Sequence, residues 1–337
     1  MVVGNKVSKN IFLIIFFVNG MISCGNSKIG SSPDDKDSVA VTIPEFNGDS
    51  AYNYVARQCS FGARVMGSMA HEQCGQYIIE NFKRLGCLVS VQKATFTRYD
   101  GKSFEGYNII AQTKPSASQR IVISSHWDSR PWADQDKDPS KHHQPVMAAN
   151  DGASGVGIMI ELARLLQRDS VDFGIDFICF DAEDMGTPAW EKSEKDDSDT
   201  WCLGSQYWAK NPHTSSISYG ILLDMVGGIG ASFYQEGFSL QYAPGIVKKV
   251  WDSALLAGVE DFFPKQQGGY ITDDHLPMNR IAHIPAIDII PYYPDCENAF
   301  GPTWHTSSDT MSNISVETLQ AVGQTLVQLL YTENNDN

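Results

Sequence analysis

Four short apolar runs separated by stretches of helical length restrict this chain's fold more than any other feature. They lie in Arg120–Ser125, with Ile121-Val122-Ile123 at its centre, in Phe173–Phe180, in Ile217–Met225 and in Ile284–Ile290. Runs this short without polar alternation read as strands covered on both faces, the habit of parallel sheets. Between and after them, Val156–Leu166, Cys202–Lys210, Val247–Ala257 and Val316–Tyr331 carry apolar residues at helical spacing. The last places Leu319, Val322, Leu326, Leu329 and Leu330 on one stripe. Strands alternating with helices give an α/β three-layer sandwich around a twisted, mainly parallel sheet. Upstream, Ala51–Arg57 and His71–Leu85 read as helices, the second stopped by Gly86. Leu88–Arg98 and Tyr107–Thr113 are close enough to pair as an antiparallel edge. Asp184–Thr200 is polar and charged and reads as a surface loop. No repeat and no second-domain boundary is visible, so residues 46–333 are expected to form one catalytic domain.

The first residues predict export. Lys6 and Lys9 precede an apolar run, Ile11–Ile22, broken only by Asn19 and Gly20 and too short to span a bilayer comfortably. It ends in Met21-Ile22-Ser23-Cys24, which resembles a bacterial lipobox. Residues 1–23 then form a signal peptide, and Cys24 is the lipidated first residue of a flexible tether over 24–45. The expected location is the periplasm or outer membrane of a bacterium. The alternative is an ordinary signal peptide cleaved nearby. Six cysteines remain: Cys59, Cys74, Cys87, Cys179, Cys202 and Cys296. Their pairing is open. Cys179 lies in an apolar run and reads as a buried thiol. No Cys-x-x-Cys spacing exists, which disfavours a thiolate zinc site.

The chain of 337 residues is 42% hydrophobic and 11% aromatic, enough for a large core, and carries a net charge of −15. Such a balance argues against nucleic-acid binding. It suits solubility first, and also a cationic partner such as a free amino terminus.

Polar residues gather where the apolar runs end, which is where open α/β sheets bind ligands. Ile121-Val122-Ile123 leads to His126-Trp127-Asp128, Phe177–Phe180 to Asp181-Ala182-Glu183-Asp184, and Ile221-Leu222-Leu223 to Asp224. Asp151 opens a helix, and His305 follows the Ile284–Ile290 run. Asp151, Asp184 and His305 offer two carboxylates and an imidazole, a donor set for zinc with an open position. Glu183 adjoins a ligand and could act as a base, while Asp128 could orient His126. The bland readings are turn or cap roles for single aspartates, solvated surface for His142, His143, His213 and His283, and packing for Trp127, Trp132 and Trp208. Trp190, in the polar insertion, is kept as a pocket candidate.

Five ordered blocks, His126-x-Asp128, Asn150–Gly155, Asp181–Asp184, Leu223-Asp224-Met225 and His305-Thr306, resemble the signatures of the zinc aminopeptidases over roughly residues 50–333. The resemblance implies that fold. In a two-metal member, Asp151 would bridge, Asp184 and His305 would complete one site, and His126 and Asp224 the other. Asp273-Asp274-His275-Leu276-Pro277, Ile289-Ile290-Pro291 and Trp304-His305-Thr306 look more like the glutaminyl cyclases of the same fold. That likeness implies a single zinc on Asp151, Asp184 and His305, Glu183 as proton shuttle, Asp224 and Asp273 as a hydrogen-bonded pair beside it, and Trp304 as a pocket wall. Its substrates would be peptides or proteins with N-terminal glutamine. Asp184 departs from the pattern, since most relatives have Glu there, and its shorter arm should pull metal or backbone by about one methylene. The alternatives are a two-metal aminopeptidase and a non-catalytic surface lipoprotein.

Overall fold

The structure is a computed structural model that describes residues 43–191 and 196–336. The signal peptide, Cys24 and nearly all of the tether lie outside these residues. Six strands form one sheet: β1 (Leu88–Thr97), β2 (Ser103–Gln112), β3 (Arg120–His126), β4 (Gly174–Phe180), β5 (Ile217–Leu223) and β6 (Ala286–Ile289). Their order is β1-β2-β4-β3-β5-β6. β1 and β2 form the expected antiparallel edge, Leu88 facing Gln112 and Thr97 facing Ser103, and β2 joins β4 antiparallel. β4, β3, β5 and β6 are parallel, so their carboxyl ends share one edge.

The apolar runs are buried because both faces of the sheet are covered. Ile121 and Ile123 of β3, Phe177 of β4 and Ile221 of β5 enter the larger core. The intervening Val122, Ile178 and Phe180 enter a second core with Trp208 and Met278. Period-two alternation therefore divides apolar residues between two layers rather than between core and water. The helices are α1 (Gly48–Cys59), α2 (Met69–Arg84), α3 (Ala153–Arg168), α4 (Leu203–Lys210), α5 (Gly237–Tyr242), α6 (Pro244–Leu256), α7 (His275–Arg280) and α8 (Val316–Asp336). Helices α1, α3, α6 and α8 pack together against one another, whereas α4 packs on α7. None in the described residues is long and apolar enough to cross a membrane.

Several boundaries differ from the sequence reading. β5 stops at Leu223, and the chain turns through Met225 in the left-handed region (φ 51°). α5 and α7 were not expected: at six residues each they are too short for a helical period to register. Residues 184–200 are only partly a surface loop. Asp184, Met185 and Gly186 are buried, and the segment returns to line a cavity through Thr187, Ala189 and Asp196–Ser198. All six cysteines in the described residues are free thiols, with Cys179 fully buried. His213 is not solvated surface. It takes the Trp208 Nε1 proton on Nδ1 (3.1 Å) and meets Asp176 Oδ2 through Nε2 (2.9 Å). His142 is half-buried, with Nε2 2.8 Å from the Asp136 carbonyl, whereas His143 and His283 are exposed.

Candidate metal centre and active site

The shared carboxyl edge delivers the polar residues to one place. His126 ends β3, Asp181–Asp184 follow β4, Asp224 follows β5, and α3 begins just after Asp151. The glycines of Asn150–Gly155 permit this approach. A Cβ on Gly152 would sit 2.3 Å from the His126 carbonyl oxygen, and one on Gly155 2.5 Å from that of Leu223, so only glycine lets α3 seat against β3 and β5. Asp309 fixes the entry, accepting from the backbone N–H of Asn150 (2.8 Å) and Asp151 (3.1 Å). Asp128 stands 3.5 Å from His126 Nδ1, but its hydrogen bonds go elsewhere: it accepts from the backbone N–H of Glu183 (3.1 Å) and Asp184 (3.3 Å). It therefore orients the turn that carries the base and the ligand rather than the imidazole alone.

Asp151, Asp184 and His305 come together as the sequence predicts, with one donor atom from each inside a mutual spacing of 4.8 Å. His305 Nε2 lies 2.9 Å from Asp184 Oδ1 and 3.6 Å from Asp151 Oδ2. A second group combines His126, Asp151 and Asp224, with His126 Nε2 2.8 Å from Asp151 Oδ1 and 3.3 Å from Asp224 Oδ1. Despite its shorter arm, Asp184 reaches the first group.

A cation fits this arrangement. Asp151 Oδ2, both oxygens of Asp184 and Asp224 Oδ1 are buried without a hydrogen-bond partner. Orphan carboxylate oxygens are too costly to hold dry and unpaired, and two carboxylates with an imidazole match the ligand habits of zinc. Burial and the charge of Asp184 push the Asp151 carboxyl up to about 6. Burial also drives Glu183 well above the carboxylate range, with the Asp184 charge adding to it. At Asp184 burial is outweighed by His305, which holds the carboxyl at about 2.

Glu183 faces a cavity of about 360 Å³ that also exposes Asp224, Asp273 and Trp304. Glu183 belongs to two further groups, one with Cys202 and Asp273 and one with His126 and Asp184. Asp224 and Asp273, the pair that the resemblance implies, line this cavity together. Burial comes first and the charge of Asp224 second in raising the Asp273 carboxyl, whose Oδ1 accepts from the backbone N–H of Asp274 (2.5 Å). Trp304 lines the cavity and stacks on His305 (centroids 3.9 Å, planes 21° apart). Trp190 is 40% exposed and stands at the rim, edge-on to His143 and Trp132, with its neighbour Ala189 lining the cavity in its place.

Four neighbours were not singled out from sequence. The Cys202 thiol donates to Glu183 Oε1 (3.3 Å), and Trp201 stacks parallel to His305 (6.0 Å, 8°). Asp134 stands 3.6 Å from His305 Nδ1, and the fully buried Arg130 donates to the Asp184 carbonyl (2.9 Å). Two of them, in Ser129-Arg130-Pro131-Trp132-Ala133-Asp134, directly follow the His126-x-Asp128 block, the one available hint. Trp201 and Cys202 sit at the end of an insertion that looks like solvent-facing loop.

Residues 108–330 match Peptidase family M28. The crystal structure of Bacteroides thetaiotaomicron glutaminyl cyclase bound to N-acetylhistamine is 48% identical, with 86% of this chain and 99% of that one covered at a TM-score of 0.84. Glutaminyl-peptide cyclotransferase of Drosophila melanogaster is 25% identical over 76% of this chain and 73% of its own length. Aminopeptidase YwaD of Bacillus subtilis is 28% identical over 66% of this chain, a match that spans 44% of that relative.

Proposed function

Because this chain belongs to peptidase family M28 and sets a buried carboxyl beside a three-donor zinc site, we propose that it is a zinc-dependent glutaminyl-peptide cyclotransferase. It would convert the N-terminal glutamine of peptides or proteins to pyroglutamate and release ammonia. The observation that carries this reading is Glu183, which opens on the cavity next to the Asp151–Asp184–His305 donors without belonging to that set. The 48% identity to a glutaminyl cyclase over nearly its whole solved length supports the choice of substrate.

Asp151, Asp184 and His305 would hold one zinc ion, which supplies Lewis acidity toward the glutamine side-chain amide oxygen. Glu183 takes a proton from the substrate's α-amine. The lone pair of that amine, in its neutral form, attacks the side-chain amide carbon as the N–H bond breaks, and a new C–N bond closes the ring. Glu183 then returns the proton to the amide nitrogen, whose bond to carbon breaks as ammonia leaves. Nucleophile and target share one residue, so proximity is supplied by the substrate itself. The acidic lining suits a cationic amino terminus, Trp304 walls the site, and burial with the charges of Asp184 and Asp273 keeps Glu183 in an environment that favours its protonated form.

A second reading has its own observation. His126, Asp151 and Asp224 make a further donor group, which a two-metal aminopeptidase would use, with Glu183 acting on a water nucleophile. Purified protein should form pyroglutamate from glutaminyl peptides, leave amino-acid anilides intact and contain one zinc per chain. Anilide hydrolysis with two required metals would replace the cyclase by the aminopeptidase. Loss of both activities in zinc-replete protein would leave a binding lipoprotein.

Export and lipid anchoring belong to the same proposal, supported by Lys6, Lys9, the Ile11–Ile22 run and Cys24. Membrane fractionation and globomycin-sensitive processing should both depend on Cys24. A Cys24→Ser protein that is still processed and membrane-bound would sink the anchor.

A further inference from the structure

His305 presents one ring nitrogen, Nε2, to Asp184 and Asp151. The other, Nδ1, is buried and has no hydrogen-bond partner, and the carboxylate facing it is Asp134, with Oδ1 3.6 Å away. Asp134 is not loosely placed. It is 6% exposed, Arg130 clamps it through Nε on Oδ1 (3.2 Å) and Nη2 on Oδ2 (2.7 Å), and the Ala189 N–H adds a bond to Oδ2 (2.9 Å). The same guanidinium donates to the carbonyls of Asp184 and Gly186, both at 2.9 Å. Arg130 thus ties together the backbone of one candidate ligand and the carboxylate behind another.

Two indoles hold the plane of the imidazole, Trp304 at 3.9 Å and Trp201 at 6.0 Å. Stacking fixes a plane but not a tautomer. A neutral imidazole carries one N–H, and a metal requires the lone pair of the other nitrogen. Without a metal Nε2 faces Asp184 at 2.9 Å; with a metal on Nε2 the ring's one proton is on Nδ1 and faces Asp134, and bringing the 3.6 Å approach to hydrogen-bond range takes a shift of about 0.5 Å.

We propose that Asp134, held by Arg130, is a positioning residue that accepts the Nδ1 proton of His305, aims bare Nε2 at the Asp151–Asp184 pair and so sets the affinity of the chain for zinc. The inference rests on His305 being a zinc ligand but not on which reaction the site performs. Asp134 lies outside every candidate donor group in the described residues, which suits a role behind the ligand rather than at the metal.

The test is zinc affinity, measured by competition with a chelating fluorophore on metal-stripped wild type, Asp134→Ala, Asp134→Asn and His305→Ala, with the Nδ1–H shifts of the His305 ring read in the zinc-loaded wild type and Asp134 variants. Loss of a partner behind a ligating histidine is worth 10–100-fold in metal affinity, so Asp134→Ala should bind zinc about 10–100-fold more weakly, with the Nδ1–H shift moved away from its hydrogen-bonded position. Should the alanine variant not fold, Asp134→Asn keeps the volume and one acceptor for Arg130, and about a tenfold loss is expected of it. Folded Asp134 variants with wild-type zinc affinity, or with an unaltered Nδ1–H shift, overturn the proposal. Wild-type affinity in His305→Ala would instead remove the ligand assignment, and this inference with it.

Discussion

Two buried ionic clusters sit on the same sheet, and they are built in opposite ways. Near the amino end of β3, Arg120 donates through Nε to Asp176 of β4 (2.9 Å) and through its terminal nitrogens to the carbonyls of Lys114 and Thr113 (both 2.7 Å). His213 and Gln112 complete the shell of Asp176, and no side-chain atom of the Arg120–Asp176–His213 trio is left buried without a partner. At the carboxyl end, the group around Asp151, Asp184, Asp224, His126 and His305 keeps several buried orphan atoms. Both are buried, but the first pairs its carboxylate with a guanidinium while the second sets three carboxylates around two imidazoles. The difference is completeness: a satisfied network consumes its own charge and holds strands, whereas an unsatisfied one retains the capacity to bind something.

The largest effects should separate two neighbours inside the unsatisfied cluster. Glu183→Gln keeps shape and hydrogen bonding but cannot take the amine proton, so kcat for pyroglutamate formation should fall about 10²–10⁴-fold with zinc content and KM near wild type. Asp184→Asn should lose zinc along with activity, since a neutral amide is a poor ligand. Zinc analysis alongside steady-state kinetics reads both. Zinc lost in Glu183→Gln and kept in Asp184→Asn would mean the roles are reversed.

At the saturated end the expected damage is to stability. Asp176→Asn leaves the Arg120 guanidinium buried without its counter-charge, a loss of about 3–5 kcal/mol in denaturant unfolding. The folded fraction should retain its activity and zinc. An Asp176→Asn protein that is fully stable but has lost zinc would erase the contrast between the two clusters.

The smallest effect is in pH. Burial works against the Asp176 carboxylate, but His213 and Arg120 outweigh it and hold its pKa below the ordinary 3.8. A depressed carboxyl contributes stability that is complete above its unfolded value and fades as pH falls through the lower folded value. Wild type should therefore lose stability relative to Asp176→Asn below about pH 3.8, and the two curves should run parallel above it. Parallel curves throughout would mean that Asp176 is not depressed in the folded state.

The sequence by itself determined the parallel sheet and much of the edge chemistry. Runs such as Ile121-Val122-Ile123 can be buried only between two layers, and a parallel arrangement sends every following polar residue, His126, Asp184 and Asp224 among them, to the same edge. The ordered blocks carried the likeness to a family because each ligand type sits at a fixed distance from a strand end or helix start. Tertiary structure alone decided what lies behind those residues. Asp134 and Arg130 reach His305 and Asp184 across long sequence separations, Asp128 turns to the backbone of Glu183, and the Cys202 thiol donates to Glu183 Oε1. The physical reason is the range of the signal. Periodicity and motif spacing report a residue's relation to its own element, whereas the partner of a buried polar atom is set by which other element arrives there, and by the need to satisfy that atom once water is gone.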